Sequence, residues 1–132
     1  MKKNPLVIIN NEKVFKQGSE LYCDNLDMKV LPEGLSIQHD VEFIVRSSKI
    51  KGSQPLNLKN IKIASNIFKF IYFIINTFKK KKVSYLLITI TPYTFISFLI
   101  LFLSNHFLSP LGTINTTFGK YLTISFIEKT SK

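Results

Sequence analysis

The 132-residue chain predicts an α/β domain, a parallel sheet covered by helices. Three observations carry that expectation. Short apolar, β-branched runs alternate with segments of helical period along most of the chain. Proline, glycine and asparagine punctuate the changeovers. The most apolar stretch, Val83 to Leu103, is divided by Thr91-Pro92, a pair that suits the start of a helix better than its middle.

Taken in order, Leu6 to Ile9 is a buried strand closed by Asn10-Asn11, and Lys13 to Glu20, with Gly18-Ser19, is a loop. Asp24-Asn25 caps a short helix carrying Leu26, Val30 and Leu31, and Pro32-Glu33-Gly34 breaks or restarts it. Val41, Phe43 and Val45 alternate with Glu42, Ile44 and Arg46 as in a strand with one better-buried face. Residues 47–60, rich in serine, asparagine and basic side chains, form a solvated loop. Ile61 to Phe78 then has helical period throughout. Lys62, Asn66, Lys69, Asn76 and Lys80 mark its polar stripe, opposite Ile63, Ile67, Phe70, Ile71, Ile74 and Phe78. Phe68, Tyr72, Phe73 and Ile75 widen the apolar arc, so the helix is either deeply sandwiched or laid on a membrane with its lysines at the headgroups.

The stretch after Lys79-Lys80-Lys81-Lys82 admits two architectures. Val83 to Leu103 is long enough, at roughly 1.5 Å per residue, to cross a bilayer core, with the lysines on the cytoplasmic side. That is the alternative fold: an α-helical membrane protein with one spanning helix. The internal pattern favours a strand at Tyr85 to Thr91, a helix start at Thr91-Pro92, and a helix to Asn105. In the tail, Ser109-Pro110-Leu111-Gly112 is a turn and Leu122 to Ile127 a further strand, with 106–132 the least patterned segment. The favoured architecture is therefore one Rossmann-like half-domain over residues 1–132.

The formal charge is +10, and seven of the eight acids lie at or before Glu42. From Arg46 to Lys120 every charged side chain is basic, a field that favours an anionic partner. Lysine, asparagine, isoleucine and phenylalanine are abundant together, a bias that an A/T-rich coding sequence also imposes. An anionic membrane surface fits best. Nucleic acid fits poorly, because no recognition motif accompanies the lysines. Cys23 is the lone cysteine, and with His39 and His106 it has no metal-ligand spacing, so neither a disulfide nor a metal is expected and the setting is a reducing cytoplasm. No cofactor fingerprint, carboxylate pair or nucleophile elbow is present, and no catalytic residue is assigned.

The run His39 to Arg46, then a basic loop and helix, then Ser84 to Leu101 with Thr89-Ile90-Thr91-Pro92-Tyr93 at its turn, resembles the N-terminal half of GT-B glycosyltransferases, family 4 in particular. The resemblance covers about Leu26 to Asn105; residues 108–132 depart from it. It implies an acceptor-facing domain from bacterial cell-surface polysaccharide or glycolipid synthesis, peripheral on the cytoplasmic face of the membrane. Thr91 and Tyr93 are then the ligand-facing turn, since open α/β sheets bind at the carboxyl ends of their strands. Lys62, Lys69, Lys79, Lys80, Lys81 and Lys82 are the membrane-surface lysines. The resemblance also implies that the nucleotide-sugar-binding half is missing, so the chain is expected to be inactive alone and to need that half, or a partner chain that supplies it.

Overall fold

The computed structural model describes residues 2–80, 83–88, 91–108, 112–117 and 121–128. The elements run β1 (Asn4–Gln17), β2 (Glu20–Cys23), α1 (Leu26–Leu35), β3 (His39–Ser47), β4 (Gln54–Pro55), β5 (Ile61–Ala64), α2 (Ile67–Thr77), β6 (Ser84–Ile88), α3 (Pro92–Leu108), β7 (Gly112–Thr117) and β8 (Tyr121–Glu128).

β1 is the central strand, in parallel register with β3 on one side and β6 on the other, while β3 pairs in parallel with β5. β8 pairs antiparallel with β6, and β7 antiparallel with β8. The order across the sheet is thus β5-β3-β1-β6-β8-β7, a mixed sheet rather than the wholly parallel one expected. Antiparallel pairs occur in the tail, where the chain returns as a hairpin instead of through a helix, and at the far end of β1, where β2 pairs with β1 and β4 with β2.

Two apolar layers lie on the two sheet faces. Leu6, Ile8, Val41, Phe43 and Leu86 pack with Met28 of α1, and Leu31 and Leu35 close the same layer. Val7, Ile9, Ile44, Tyr85 and Leu87 pack with Phe70 and Ile74 of α2 and Leu101 of α3. Strands buried on both faces are continuous apolar runs, which is why Leu6 to Ile9 carries no polar residue.

Several elements differ from expectation for identifiable reasons. β1 does not stop at Asn11. It continues to Gln17 and turns back into β2 around Gly18, whose φ of 61° suits glycine, and β4 pairs with β2. α1 runs through Pro32 to Leu35. The proline falls one turn from the helix end, where it forfeits a single bond. Ser36 N donates to Pro32 O at 3.0 Å and Ser36 Oγ to Glu33 O at 2.6 Å, so the end is satisfied. The helix expected from Ile61 begins only at Ile67. Asn66 caps it, its side chain accepting from Lys69 N at 2.8 Å, and the alternating Ile61-Lys62-Ile63-Ala64 joins the sheet as β5.

The stretch from Val83 to Leu103 is not one helix. β6 ends at Ile88 and α3 starts at Pro92, and among the described residues no helix is long and apolar enough to cross a membrane. The spanning alternative is corrected accordingly. The expected turn at Ser109-Pro110-Leu111 lies outside the described residues, while β8 falls where a strand was expected.

The loop between β3 and β4 is pressed against the end of β2. A Cβ added at Gly52 would stand 2.5 Å from both the carbonyl carbon and the carbonyl oxygen of Cys23. Backbone cannot yield as a side-chain end can. Gly52→Ala is therefore expected to cost about 2 kcal/mol in urea unfolding, and a loss under about 0.5 kcal/mol would mean that the loop lifts away freely.

Candidate functional site at the strand carboxyl edge

Four parallel strands end at one edge of the sheet: β1's ladder to β6 at Asn10, β3 at Arg46 and Ser47, β5 at Ala64, and β6 at Ile88. From β1 the chain passes through α1 to β3 and β5; from β5 it returns through α2, on the other face, to β6. The connections therefore diverge between β1 and β6. This is the topological switch point, where open α/β sheets bind ligands.

Asn10 occupies the last rung between those two strands, with Ile88 as its Cα partner. It is 1% exposed, and its Oδ1 accepts from Glu12 N at 3.1 Å. Its Nδ2 is buried with no acceptor among the described residues. Turning the carboxamide over does not help, since Nδ2 would then face the Glu12 N–H. An unpaired buried amide costs about 1–3 kcal/mol. The strand is also irregular here, its register against β3 shifting between Ile9 and Lys13. Such bulges recur beside active sites, where they redirect a side chain. On the other side of β1, Arg46 Nη1 donates to Asn11 Oδ1 at 3.1 Å, holding a guanidinium at the same edge.

Thr91, expected to face ligand, is half-buried at the entrance to α3 and its carbonyl accepts from Phe95 N at 2.8 Å, so it starts the helix ladder. Tyr93 lies in the first turn of α3, at the same edge; its side chain lies outside the described residues. By sequence Asn10 is only a strand terminator. The one sequence signal that could have singled it out is a polar residue directly after four apolar ones in a central strand.

The lysines separate into different roles. Lys62 is on β5, in register with Ile44, rather than on the polar stripe of a helix. Lys80 Nζ donates to Glu42 Oε2 at 2.6 Å, neutralising a carboxylate on the sheet's α2 face. Lys69 and Lys79 are exposed, and Lys69 stands 5.9 Å over the Phe73 ring. Lys81 and Lys82 lie outside the described residues. Beside Lys69 and Lys79 runs an apolar surface absent from the sequence reading of α3. Phe68 is 81% and Tyr72 61% exposed on α2, joined by Ile75, and Phe95, Leu99, Phe102 and Leu103 are exposed on α3. Neither helix contains an acid.

Cys23 is buried, and that burial pushes its thiol up, disfavouring the thiolate. No group of three His, Cys, Asp or Glu side chains that could hold a metal occurs among the described residues. A polar cleft lies at the opposite, amino edge, between Lys3, Ser36, His39, Asp40, Lys59 and Asn60. Lys3 is committed there to the Ser36 carbonyl at 2.8 Å.

The fold defines a class: an α/β domain with a mixed sheet and helices on both faces. Beyond the class, comparisons with protein-family models, with curated proteins and with solved structures gave no match.

Proposed function

We propose that the chain is the acceptor-side half of a two-domain, GT-B-like glycosyltransferase of cell-surface polysaccharide or glycolipid synthesis, working as a peripheral protein on the anionic cytoplasmic face of the membrane. The observation that carries it is the strand order β5-β3-β1-β6 with a switch point between β1 and β6, the arrangement in which open sheets take ligands at their carboxyl edge. On this reading the nucleotide-sugar site belongs to a second half or a partner chain, and this chain binds the acceptor. Incubated alone with radiolabelled sugar nucleotides and a bacterial lipid extract, it is expected to transfer nothing above the blank. Robust transfer by the chain alone would overturn the reading. A nucleotide-sugar-binding domain encoded immediately downstream would support it, and unrelated genes there would count against it.

The membrane half of the proposal rests on the exposed face of α2 and α3. Seven large apolar side chains flanked by Lys69 and Lys79, with no carboxylate on either helix, match a bilayer with anionic headgroups better than a second copy of a chain carrying +10. The chain is expected to sediment with phosphatidylglycerol vesicles and to stay in solution with phosphatidylcholine ones. Phe68→Ser combined with Tyr72→Ser should weaken that binding at least about tenfold, without loss of the fold, since both rings are exposed. Equal binding to neutral vesicles, or none to either, would remove the membrane from the proposal.

A further inference from the structure

We propose that Asn10 is a ligand-binding residue whose Nδ2 donates a hydrogen bond to a hydroxyl oxygen of a sugar held at the β1/β6 switch point. The position follows from the structure of the chain; the class of ligand rests on the glycosyltransferase reading above.

Three independent features meet at this residue. It ends the ladder between the two strands where the connections diverge. It lies at the start of the register shift in β1. It also buries an amide donor that nothing among the described residues accepts. A side chain with a purely structural task at this depth would be satisfied on both ends, or would be apolar like its neighbours Ile8 and Ile88. Asn10 is satisfied at one end only, and the bond to Glu12 N fixes the other in place. Of the roles open to a buried amide left half-satisfied, completion by a ligand is the one that fits its place at the switch point.

The surroundings select the ligand's chemistry. The ladder places Ile8 and Ile88 beside Asn10, while strand alternation puts Arg46, the guanidinium at this edge, with Ile44 on the opposite sheet face. Phosphate or carboxylate would enter uncompensated. A neutral ring with hydroxyl oxygens and apolar C–H faces suits an apolar wall bearing one amide donor. Nδ2 is shielded from solvent, so contact requires the irregular segment Asn10–Glu12 to open. That is cheaper than unzipping a regular ladder.

The test uses the full chain and two readouts. Asn10→Leu removes the unpaired donor and also the acceptor of the Glu12 N–H, which is only half-buried and can turn to water; with the volume kept, the melting temperature should rise by roughly 3 °C. In 1H–15N spectra the side-chain NH2 pair that disappears in Asn10→Leu identifies Asn10. Titrating glucose, galactose or N-acetylglucosamine into the wild-type chain should shift that pair saturably at millimolar sugar, whereas sodium phosphate at equal ionic strength should not. A lower melting temperature for Asn10→Leu would show that the amide serves the fold and would overturn the proposal, leaving the glycosyltransferase reading untouched. A higher melting temperature with no response to any of the three sugars, or a response to phosphate alone, would overturn the sugar assignment and count against that reading as well.

Discussion

Replacing Lys80 by methionine is expected to destabilise the protein by about 3 kcal/mol, because it strands a carboxylate against the sheet. The Glu42 side chain is 8% exposed, and Lys80 Nζ, 2.6 Å from its Oε2, is its charge partner in the structure. The Lys80 side chain is itself 38% exposed, which places the cost below the top of the range for fully buried pairs. The double variant Glu42→Leu with Lys80→Met should recover most of the loss, since the site then packs apolar groups with no charge to neutralise. Urea unfolding of the wild type, both single variants and the double variant gives the coupling directly. A sum of single effects that equals the double would show that the two side chains do not depend on each other. The result bears on function too. Lys80 ties the segment just after α2 to the middle of β3, whereas Lys69 and Lys79 are exposed.

The second large effect is alkaline. Tyr85 is buried in the α2 layer, its hydroxyl 2.8 Å from Thr77 Oγ1 and its ring edge-on to Phe78. Burial pushes its hydroxyl from the ordinary 10.0 up to about 12; the Thr77 hydrogen bond works in the opposite sense, and the nearby Glu42 charge adds to the rise. An unfolded chain ionises this tyrosine near pH 10 and the folded one does not, so above pH 10 the unfolded state binds fewer protons. Stability from this group is complete below pH 10 and falls as pH rises through 12, by a total on the order of 2–3 kcal/mol. Tyr85→Phe should cost about 1 kcal/mol at pH 8 through the lost hydrogen bond. It should then lose less than the wild type between pH 9 and pH 12. Parallel losses over that interval would mean that Tyr85 is not the titrating group.

How far the sequence could be read is clear from individual residues. Leu6 to Ile9, Val41 to Val45 and Thr91-Pro92 were legible because each carries a local signal: an apolar run, an alternation, or a cap-and-proline pair. Ile61 to Ala64 was not, since four alternating residues ahead of a strong helix are indistinguishable by period from its first turn. Only the parallel register with Phe43 to Arg46 makes them a strand. Pro32 was misjudged for a similar reason: whether a proline ends a helix depends on how many turns remain and on what satisfies the carbonyls beyond it. At the candidate site the edge of the sheet could be inferred and Asn10 could not. Burial and partnership are properties of neighbours that the chain brings in from far along the sequence, β3 on one side and β6 on the other.

The sequence by itself determined that this chain folds as alternating strands and helices around a parallel core, and that its charge beyond Glu42 is almost entirely basic. It did so because hydrophobic period and capping are local quantities, set by residues a few positions apart. Only the tertiary structure decided the strand order, the antiparallel return of β7 and β8, the pairing of Lys80 with Glu42, the exposed apolar face of α2 and α3, and the half-satisfied amide of Asn10. Each of these depends on which distant segments pack together, and many chain paths share one pattern of polar and apolar residues. The choice among them comes from the cooperative burial of both sheet faces at once.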